Sequence, residues 1–347
     1  MENIVIFTDE LMWYDPPTNP HPMKRSILIA LVLTTIGTMT LPAGAQSKNE
    51  NFRIVGYYPL RSALTADPAT VPFDRVTHIN LSFLNPDTTG VFTQDLSGLA
   101  PFVEAAHRKG VKVLASIAGG GRHEYYHALL RDDRRARLIN DLLLIALNYN
   151  LDGIDVDIEG SDIDENYEKF VVGLASVLKP HNKLVTAAIA VFYKDQFTDR
   201  ALAQYDFVNL MSYDHTGPWT PTKQGPHSTY EHAVADLDYF LNERNIPKEK
   251  MTLGVGFYGY GFGPEIDSPA KTMVFRDIQD QFPGSEQTDE LKLPDGATLY
   301  YNGIPTIKRK TALARERASG IMIWQLLQDA PGKHSLLRAI NEEAYRQ

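Results

Sequence analysis

The sequence predicts an α/β protein built as a (β/α)8 barrel of the TIM type, and three observations carry that expectation. Short apolar runs alternate with helix-period segments from Arg53 onward, the pattern of a parallel sheet covered by helices. Eight such runs fill about 300 residues, the size of a closed barrel. The glycine fingerprint of a nucleotide-binding sheet is missing after the first strand, where the chain reads Tyr57-Tyr58-Pro59-Leu60. An open doubly wound sheet is the alternative architecture.

The elements follow in order. Ile54–Tyr58 is the first strand, and Val76–Leu84 the second. A helical pattern over Leu96–Arg108 separates it from the third strand, Val111–Ala118. A long helix over Glu124–Asn148 leads to the fourth strand, Gly153–Glu159. The helix Asn166–Leu178 precedes the strand Leu184–Ala190, and the short helix Thr198–Gln204 precedes Phe207–Tyr213. Tyr230–Asn245 is helical and leads to the seventh strand, Met251–Tyr258. Thr306–Ala318 leads to the eighth, Gly320–Leu326, and His334–Tyr345 closes the chain as a helix. No internal repeat or low-complexity linker divides residues 46–347, so they read as a single domain. The longest irregular stretch, Gly259 to Gly303, holds at most a small excursion beside the site, or a long loop.

Residues 1–45 read as an extension and a secretory signal rather than as fold. Met23-Lys24-Arg25 is a positive start, an apolar run begins at Ile27, and Ala43-Gly44-Ala45 offers a small-x-small cleavage pattern ending at Ala45. Glu2, Asp9, Glu10 and Asp15 ahead of the basic region are unlike the start of an exported chain, which makes Met23 the expected start. The apolar stretch falls short of the ~20 residues that span a bilayer. The expectation is an exported protein, periplasmic or secreted, with no membrane span after signal removal.

Net charge is −9, which leaves no basic excess to neutralise phosphates and argues against a nucleic-acid partner. The absence of cysteine excludes disulfides, thiolate metal sites and a cysteine nucleophile. Oligomeric state is not legible.

The most informative segment is Asp152-Gly153-Ile154-Asp155-Val156-Asp157-Ile158-Glu159. A strand sends alternate side chains to opposite faces. Asp155, Asp157 and Glu159 then share one face, while Ile154, Val156 and Ile158 share the other. Neighbours on a face stand about 6.6 Å apart. The apolar face suits packing against helices. Three acids on the inner face are expensive to bury unless paired, protonated or used, and no structural device commonly needs that spacing. Asp152 falls off the inner face and reads as structural.

Barrel enzymes draw their chemistry from the C-terminal ends of strands, and those ends are repeatedly polar or aromatic here. They carry Tyr57 and Tyr58, the run Ser116-Ile117-Ala118-Gly119-Gly120-Gly121, the segment Met211-Ser212-Tyr213-Asp214, and Trp324. Singly, each has a plain structural explanation. Strand-end tyrosines are amphipathic rim residues. The glycine run is a turn, without the Gly-Lys-Ser/Thr of a phosphate loop. Trp324 alone suits a core, and Asp214 alone a turn or cap. The triple-acid strand has no such explanation. A hard cation takes oxygen ligands, whereas glycoside hydrolysis needs a proton donor beside a second carboxylate. Crowded like charges keep one acid protonated at neutral pH. The aromatic company favours sugar, because tyrosine and tryptophan offer flat apolar faces together with hydrogen-bond handles. No metal and no cofactor is expected.

With these features together, the chain resembles the family-18 glycoside hydrolases, the chitinase family, over about residues 53–340. The pattern D-x-x-D-x-D-x-E is matched by Asp152, Asp155, Asp157 and Glu159, and M-x-Y-D by Met211, Tyr213 and Asp214. Trp324 matches the tryptophan that ends the last strand and floors the sugar subsite. The resemblance implies that Glu159 protonates the glycosidic oxygen and then activates water. It implies that Asp157 positions the substrate's N-acetyl group, that Asp155 shares a proton with Asp157, and that Tyr213 and Asp214 bind the acetamido group. This family departs from the two-carboxylate scheme, so the implied nucleophile is the substrate's own acetamido oxygen, with retention at the anomeric carbon. The implied partner is an N-acetylglucosamine-containing oligo- or polysaccharide cleaved at β-1,4 linkages. Met211, Trp324, Tyr58, Tyr258 and Trp219 are the further expected sugar contacts.

Two positions depart from the family pattern. Ala118 stands where S-x-G-G has glycine, which is expected to shift a turn and leave the chemistry intact. Tyr260 stands where F-Y-G-R has arginine, which alters subsite shape. The following segment is short for the full insertion of deep-cleft processive chitinases, so a shallower cleft is expected. Two other functions compete. One is an endo-β-N-acetylglucosaminidase acting on N-glycan cores, against which Met211–Asp214 leans. The other is a non-catalytic sugar-binding protein, against which the presence of Glu159 argues.

Overall fold

A computed structural model describes residues 52–346, except 122, 221 and 264–269. The extension and signal expected over residues 1–45 lie outside the described residues. Seven strands follow one another around a barrel: β1 (Arg53–Pro59), β2 (His78–Ser82), β3 (Lys112–Ala118), β4 (Gly153–Asp157), β5 (Leu184–Ala190), β6 (Phe207–Met211) and β7 (Met251–Gly256). Four short strands form a separate antiparallel sheet: β8 (Tyr258–Phe262), β9 (Lys271–Val274), β10 (Glu290–Lys292) and β11 (Thr298–Tyr300). The last strand, β12 (Gly320–Trp324), then enters between β7 and β1 and closes the ring, all in parallel.

Alternation along each strand divides the barrel into two cores. Outward residues such as Ile54, Val113, Ile154, Val185 and Ile321 are fully buried beneath the helices, against residues such as Phe170 and Ile307. Inward residues include Tyr57, Ser116, Asp155, Thr186, Asn209 and Thr252, also buried. The interior is therefore polar at mid-height, and every polar group there needs a partner inside the barrel.

The structure redraws several expected elements. The helix expected over Glu124–Asn148 is two, Tyr125–Leu129 and Arg135–Asn148. Arg135 folds back to donate to Leu130 O at 2.9 Å and to Asp132 at 2.5 Å, taking the carbonyl that a continuous helix would have used. The helix expected over Tyr230–Asn245 is regular to Asp238 and loosens into a π turn over Tyr239–Glu243. The seventh strand stops at Gly256 because the chain changes sheets at Phe257. Its N–H donates to Trp324 O at 2.8 Å, while its carbonyl accepts from Phe275 N at 2.8 Å. The described part of Gly259–Gly303 is thus an ordered excursion, with its own sheet and the helix Phe275–Gln281. Glu159 and Tyr213 lie just beyond the ends of β4 and β6.

Candidate active site

The C-terminal ends of the strands open into a cleft of about 720 Å³ whose walls include Gly120, Asp157, Glu159, Tyr193, Met211, Tyr213, Asp214, Trp219 and Trp324. The alternation of the acid strand survives past its ladder, because Glu159 keeps an extended backbone at φ −125° and ψ 158°. Asp155 points into the barrel, and Asp157 and Glu159 reach the cleft above it.

The three acids are not equivalent. Asp155 is fully buried and accepts four hydrogen bonds, from Tyr57 (2.6 Å), Ser116 (2.7 Å), Thr186 (2.6 Å) and Asn209 (3.3 Å). Burial raises its proton affinity and the four donors offset part of that. Asp157 is 3% exposed, and its Oδ1 has no hydrogen-bond partner among the described residues. Burial first, then the charges of Glu159 and Asp155, push its proton affinity well above the usual carboxylate range. Glu159 is raised to about 7, by burial and then by the charge of Asp214. Asp155 is thus the acid saturated with donors, Asp157 the one whose proton affinity is raised without a partner on Oδ1 among the described residues, and Glu159 the one brought near neutrality.

The opposite wall is made beyond the ladder of β6. Ser212 N donates back to Leu210 O at 2.9 Å, a tight kink that turns Tyr213 and Asp214 out of the strand. Asp214 takes a left-handed φ of +64°. Its Oδ1 accepts from Tyr258 (2.6 Å) and Tyr260 (3.1 Å), with His227 Nδ1 at 3.4 Å. The hydroxyl of Tyr213 meets only the Met322 sulfur at 3.9 Å among the described residues. That is a weak acceptor, which leaves the hydroxyl for a ligand oxygen. Next in the chain, His215 lines the cleft and is held at 3.0 Å by the buried Asp236, which also accepts from Ser212 Oγ at 2.6 Å.

Aromatic rings complete the cleft. Trp324 stacks on Phe83 with centroids 5.6 Å apart and meets Tyr57 at 5.4 Å. Gly119 makes room behind it: at φ +89° it tolerates the turn, and a Cβ there would lie 2.2 Å from the Phe83 ring. Trp219 is 57% exposed. It packs against Gly217, where a Cβ would sit 2.5 Å from the indole, and meets Tyr260 edge-on at 5.6 Å.

Carboxylates on one strand, a free tyrosine hydroxyl opposite and a tryptophan floor coincide with a sequence match over residues 53–329 to the family described as Glycosyl hydrolases family 18. The chain belongs to that family. It is similar to the GH18 chitinase from the chitin utilization locus of Flavobacterium johnsoniae, at 34% identity and a TM-score of 0.75, over 85% of this chain and 94% of that one. A plant class V chitinase mutant from Cycas revoluta, solved in complex with (GlcNAc)3, shares the fold at 22% identity and a TM-score of 0.72, over 84% of this chain and 99% of that one. A chitinase-like effector of Moniliophthora roreri is 25% identical over 67% of this chain and 64% of its own length. The chain spans about three fifths of the length of the curated relatives it matches.

Within this family-18 barrel, most expected site residues meet at one cleft: Asp157, Glu159, Met211, Tyr213, Asp214, Trp219 and Trp324 line it, and Asp155 lies beneath. Tyr58 does not join them. It faces away from the interior and packs on Phe102 at 5.2 Å. The inward residue of that pair is Tyr57, as period-two alternation dictates. Tyr258 stands behind Asp214 as its hydrogen-bond donor, 5% exposed, rather than in the cleft wall. Asp152 is structural, accepting from Val113 N at 2.7 Å and pairing with His107 at 2.8 Å.

Ala118 adopts the left-handed conformation itself, at φ +65°. Asn85 holds it there, accepting from Ala118 N at 2.6 Å and donating to Ala118 O at 2.8 Å. Among the described residues, the other non-glycine positions with positive φ are Asp214 and three asparagines, and asparagine tolerates this conformation readily. Aspartate tolerates it as well, so strain of order 1–3 kcal/mol falls on Ala118, at the end of β3 beside the cleft. Sequence reasoning missed Asn85, His215, the cleft-lining Phe192 and Tyr193, and the Tyr258–Tyr260 clamp on Asp214. His215 had one available signal, its place directly after Met211–Asp214.

Proposed function

We propose that this chain is an exported glycoside hydrolase that cleaves β-1,4 linkages between N-acetylglucosamine units by a retaining, substrate-assisted mechanism. One observation carries the reading: Glu159, brought to about 7 by burial and the charge of Asp214, lies one alternation above the buried Asp157, and both line one cleft with Trp324 and Tyr213, whose hydroxyl has only the Met322 sulfur as a partner among the described residues. A sugar ring on Trp324 presents its 2-acetamido group to Asp157 and Tyr213 and its glycosidic oxygen to Glu159. Glu159 passes its proton to the leaving oxygen as the bond to the anomeric carbon breaks. The acetamido oxygen forms the new bond at that carbon from the other face. Asp157 and Tyr213 bind the acetamido group as it takes up positive charge. Glu159, now a carboxylate, draws a proton from water, which opens the cyclic intermediate and restores the original configuration.

Export rests on the basic, apolar and small-residue order of residues 23–45. Among the described residues, no helix is long and apolar enough to cross a membrane.

The test is Glu159→Gln, assayed on a chromogenic chitooligosaccharide, with the anomer of the first product followed by NMR. Turnover at the wild-type rate in the variant would overturn the assignment, as would an inverted first product from the wild type. Profiling products from chitin oligomers beside a high-mannose glycopeptide separates chitin cleavage from N-glycan cleavage. A second reading, sugar binding without catalysis, draws on the relative named a chitinase-like effector. It predicts oligosaccharide binding with no turnover in the wild type.

A further inference from the structure

The helix Ile304–Arg317, outside the barrel, buries Lys310 completely. Burying an ammonium group is expensive unless every proton finds an acceptor, and no carboxylate forms an ion pair with it among the described residues. Its Nζ donates instead to Ser228 O, Ser228 Oγ and Asn302 Oδ1, each at 2.8 Å. Three acceptors match the three protons of an ammonium group. Burial draws its proton affinity down to about 7, against the favourable charges of Asp289, Asp236 and Glu231.

What this lysine holds lies directly behind the cleft. Ser228 Oγ donates to Ser212 O at 2.7 Å, the carbonyl of the peptide bond that leads into Tyr213. On the same strap, Gly225 O accepts from Thr216 Oγ1 at 2.7 Å, and His227 O accepts from His215 N at 3.0 Å. Asn302 reinforces the anchor, donating to Ser228 O at 2.8 Å. The β6 ladder ends at Met211, so sheet hydrogen bonds do not hold Tyr213 or Asp214. Their backbone is kinked at Ser212 and left-handed at Asp214, and the bonds to Ser212 O and to the neighbouring His215 and Thr216 hold it from outside the sheet.

We infer that Lys310 is a positioning residue, which acts through Ser228 and the Ser212 carbonyl to hold Tyr213 and Asp214 in their reacting geometry. The inference rests on the hydrolase reading above. Lys310 touches no substrate. Its effect is on the placement of groups that matter most at the transition state, so it is read in kcat more than in KM.

The test is a double-mutant cycle of Lys310→Met and Ser228→Ala on a chromogenic chitooligosaccharide, with a thermal melt of each protein. Lys310→Met is expected to lower kcat roughly 10-fold or more, the scale of a small misplacement of reacting groups, with KM within about 2-fold of wild type. Its melting temperature is expected to fall, because Ser228 and Asn302 lose a buried donor that nothing replaces, so the split between kcat and KM, not the melt, reads the positioning role. Ser228→Ala lowers kcat in the same direction, and the double variant is no slower than the worse single one, because both cut one chain of bonds. Wild-type kcat in Lys310→Met, or fully additive losses in the double variant, would overturn the inference. If Lys310→Met does not fold, Ser228→Ala alone decides, and wild-type kcat there overturns it. Wild-type turnover and its loss in Glu159→Gln, measured in the same assay, keep a failure of the hydrolase reading separate from a failure of this one.

Discussion

The two walls of the cleft are built by different means. On the β4 side, three acids take their places from strand alternation alone, within eight consecutive residues. On the β6 side, Tyr213 and Asp214 lie past the last ladder hydrogen bond and are held by side chains that are far away in sequence. Tyr258 and Tyr260 clamp Asp214 from the excursion, Asp236 holds Ser212 from the helix Tyr230–Asp238, and Lys310 reaches in through Ser228. The contrast teaches that a regular element can deliver proton chemistry by itself. A kinked strand end needs the rest of the fold to stay in place.

The largest expected effect falls on the β4 wall. Glu159→Gln should lower kcat about 10²–10⁴-fold, the usual worth of a general acid, while binding of the oligosaccharide persists. In the wild type, kcat/KM should fall as pH rises through about 7, because the proposed mechanism needs Glu159 to enter the reaction protonated. The same shift has a stability consequence with a definite sign. The folded value lies above the ordinary 4.5, so wild type loses this stability as pH rises from that value through about 7, and Glu159→Gln does not. The variant should therefore melt higher than wild type at pH 8 and close to it at pH 4, by differential scanning fluorimetry.

The β6 wall should respond less. Tyr213→Phe removes one hydrogen-bond donor and should lower kcat/KM roughly 10²-fold. A loss larger than that of Glu159→Gln would reverse the ranking of the walls. Further out, Trp219→Ala should raise KM about 2- to 10-fold, the scale of one aromatic contact, with kcat little changed. At the bottom of the series, Tyr58→Phe should leave both constants at wild-type values in the same assay, since Tyr58 lies outside the barrel wall against Phe102. A change in KM there would return Tyr58 to the sugar path.

Legibility in the sequence followed locality. The strands were placed to within a few residues because each is a short apolar run between turns, and the inward set Asp155, Asp157 and Glu159 follows from period two. The same period separates Tyr57 from Tyr58, and only the register of β1 against its neighbours decides which of them faces Asp155. The charged link Arg131–Arg134 was hidden inside a long helical pattern, because Arg135 satisfies the broken helix end from outside the ladder. Ala118 looked like a defect in a glycine turn. It occupies the glycine conformation because Asn85, 33 residues earlier, grips both its N–H and its carbonyl.

By itself, the sequence determined the barrel, the acid strand and the pairing of that strand with Tyr213 and Asp214, since periodicity and short motifs are properties of neighbouring residues. The tertiary structure alone decided which acid is saturated with donors and which is buried with an oxygen unpartnered among the described residues. Four of the groups that make this distinction come from four different strands: Tyr57, Ser116, Thr186 and Asn209. It alone also decided that a lysine on an outer helix supports the cleft. A proton's residence depends on burial and on every charge and donor within a few ångströms, and those neighbours meet only when the barrel closes.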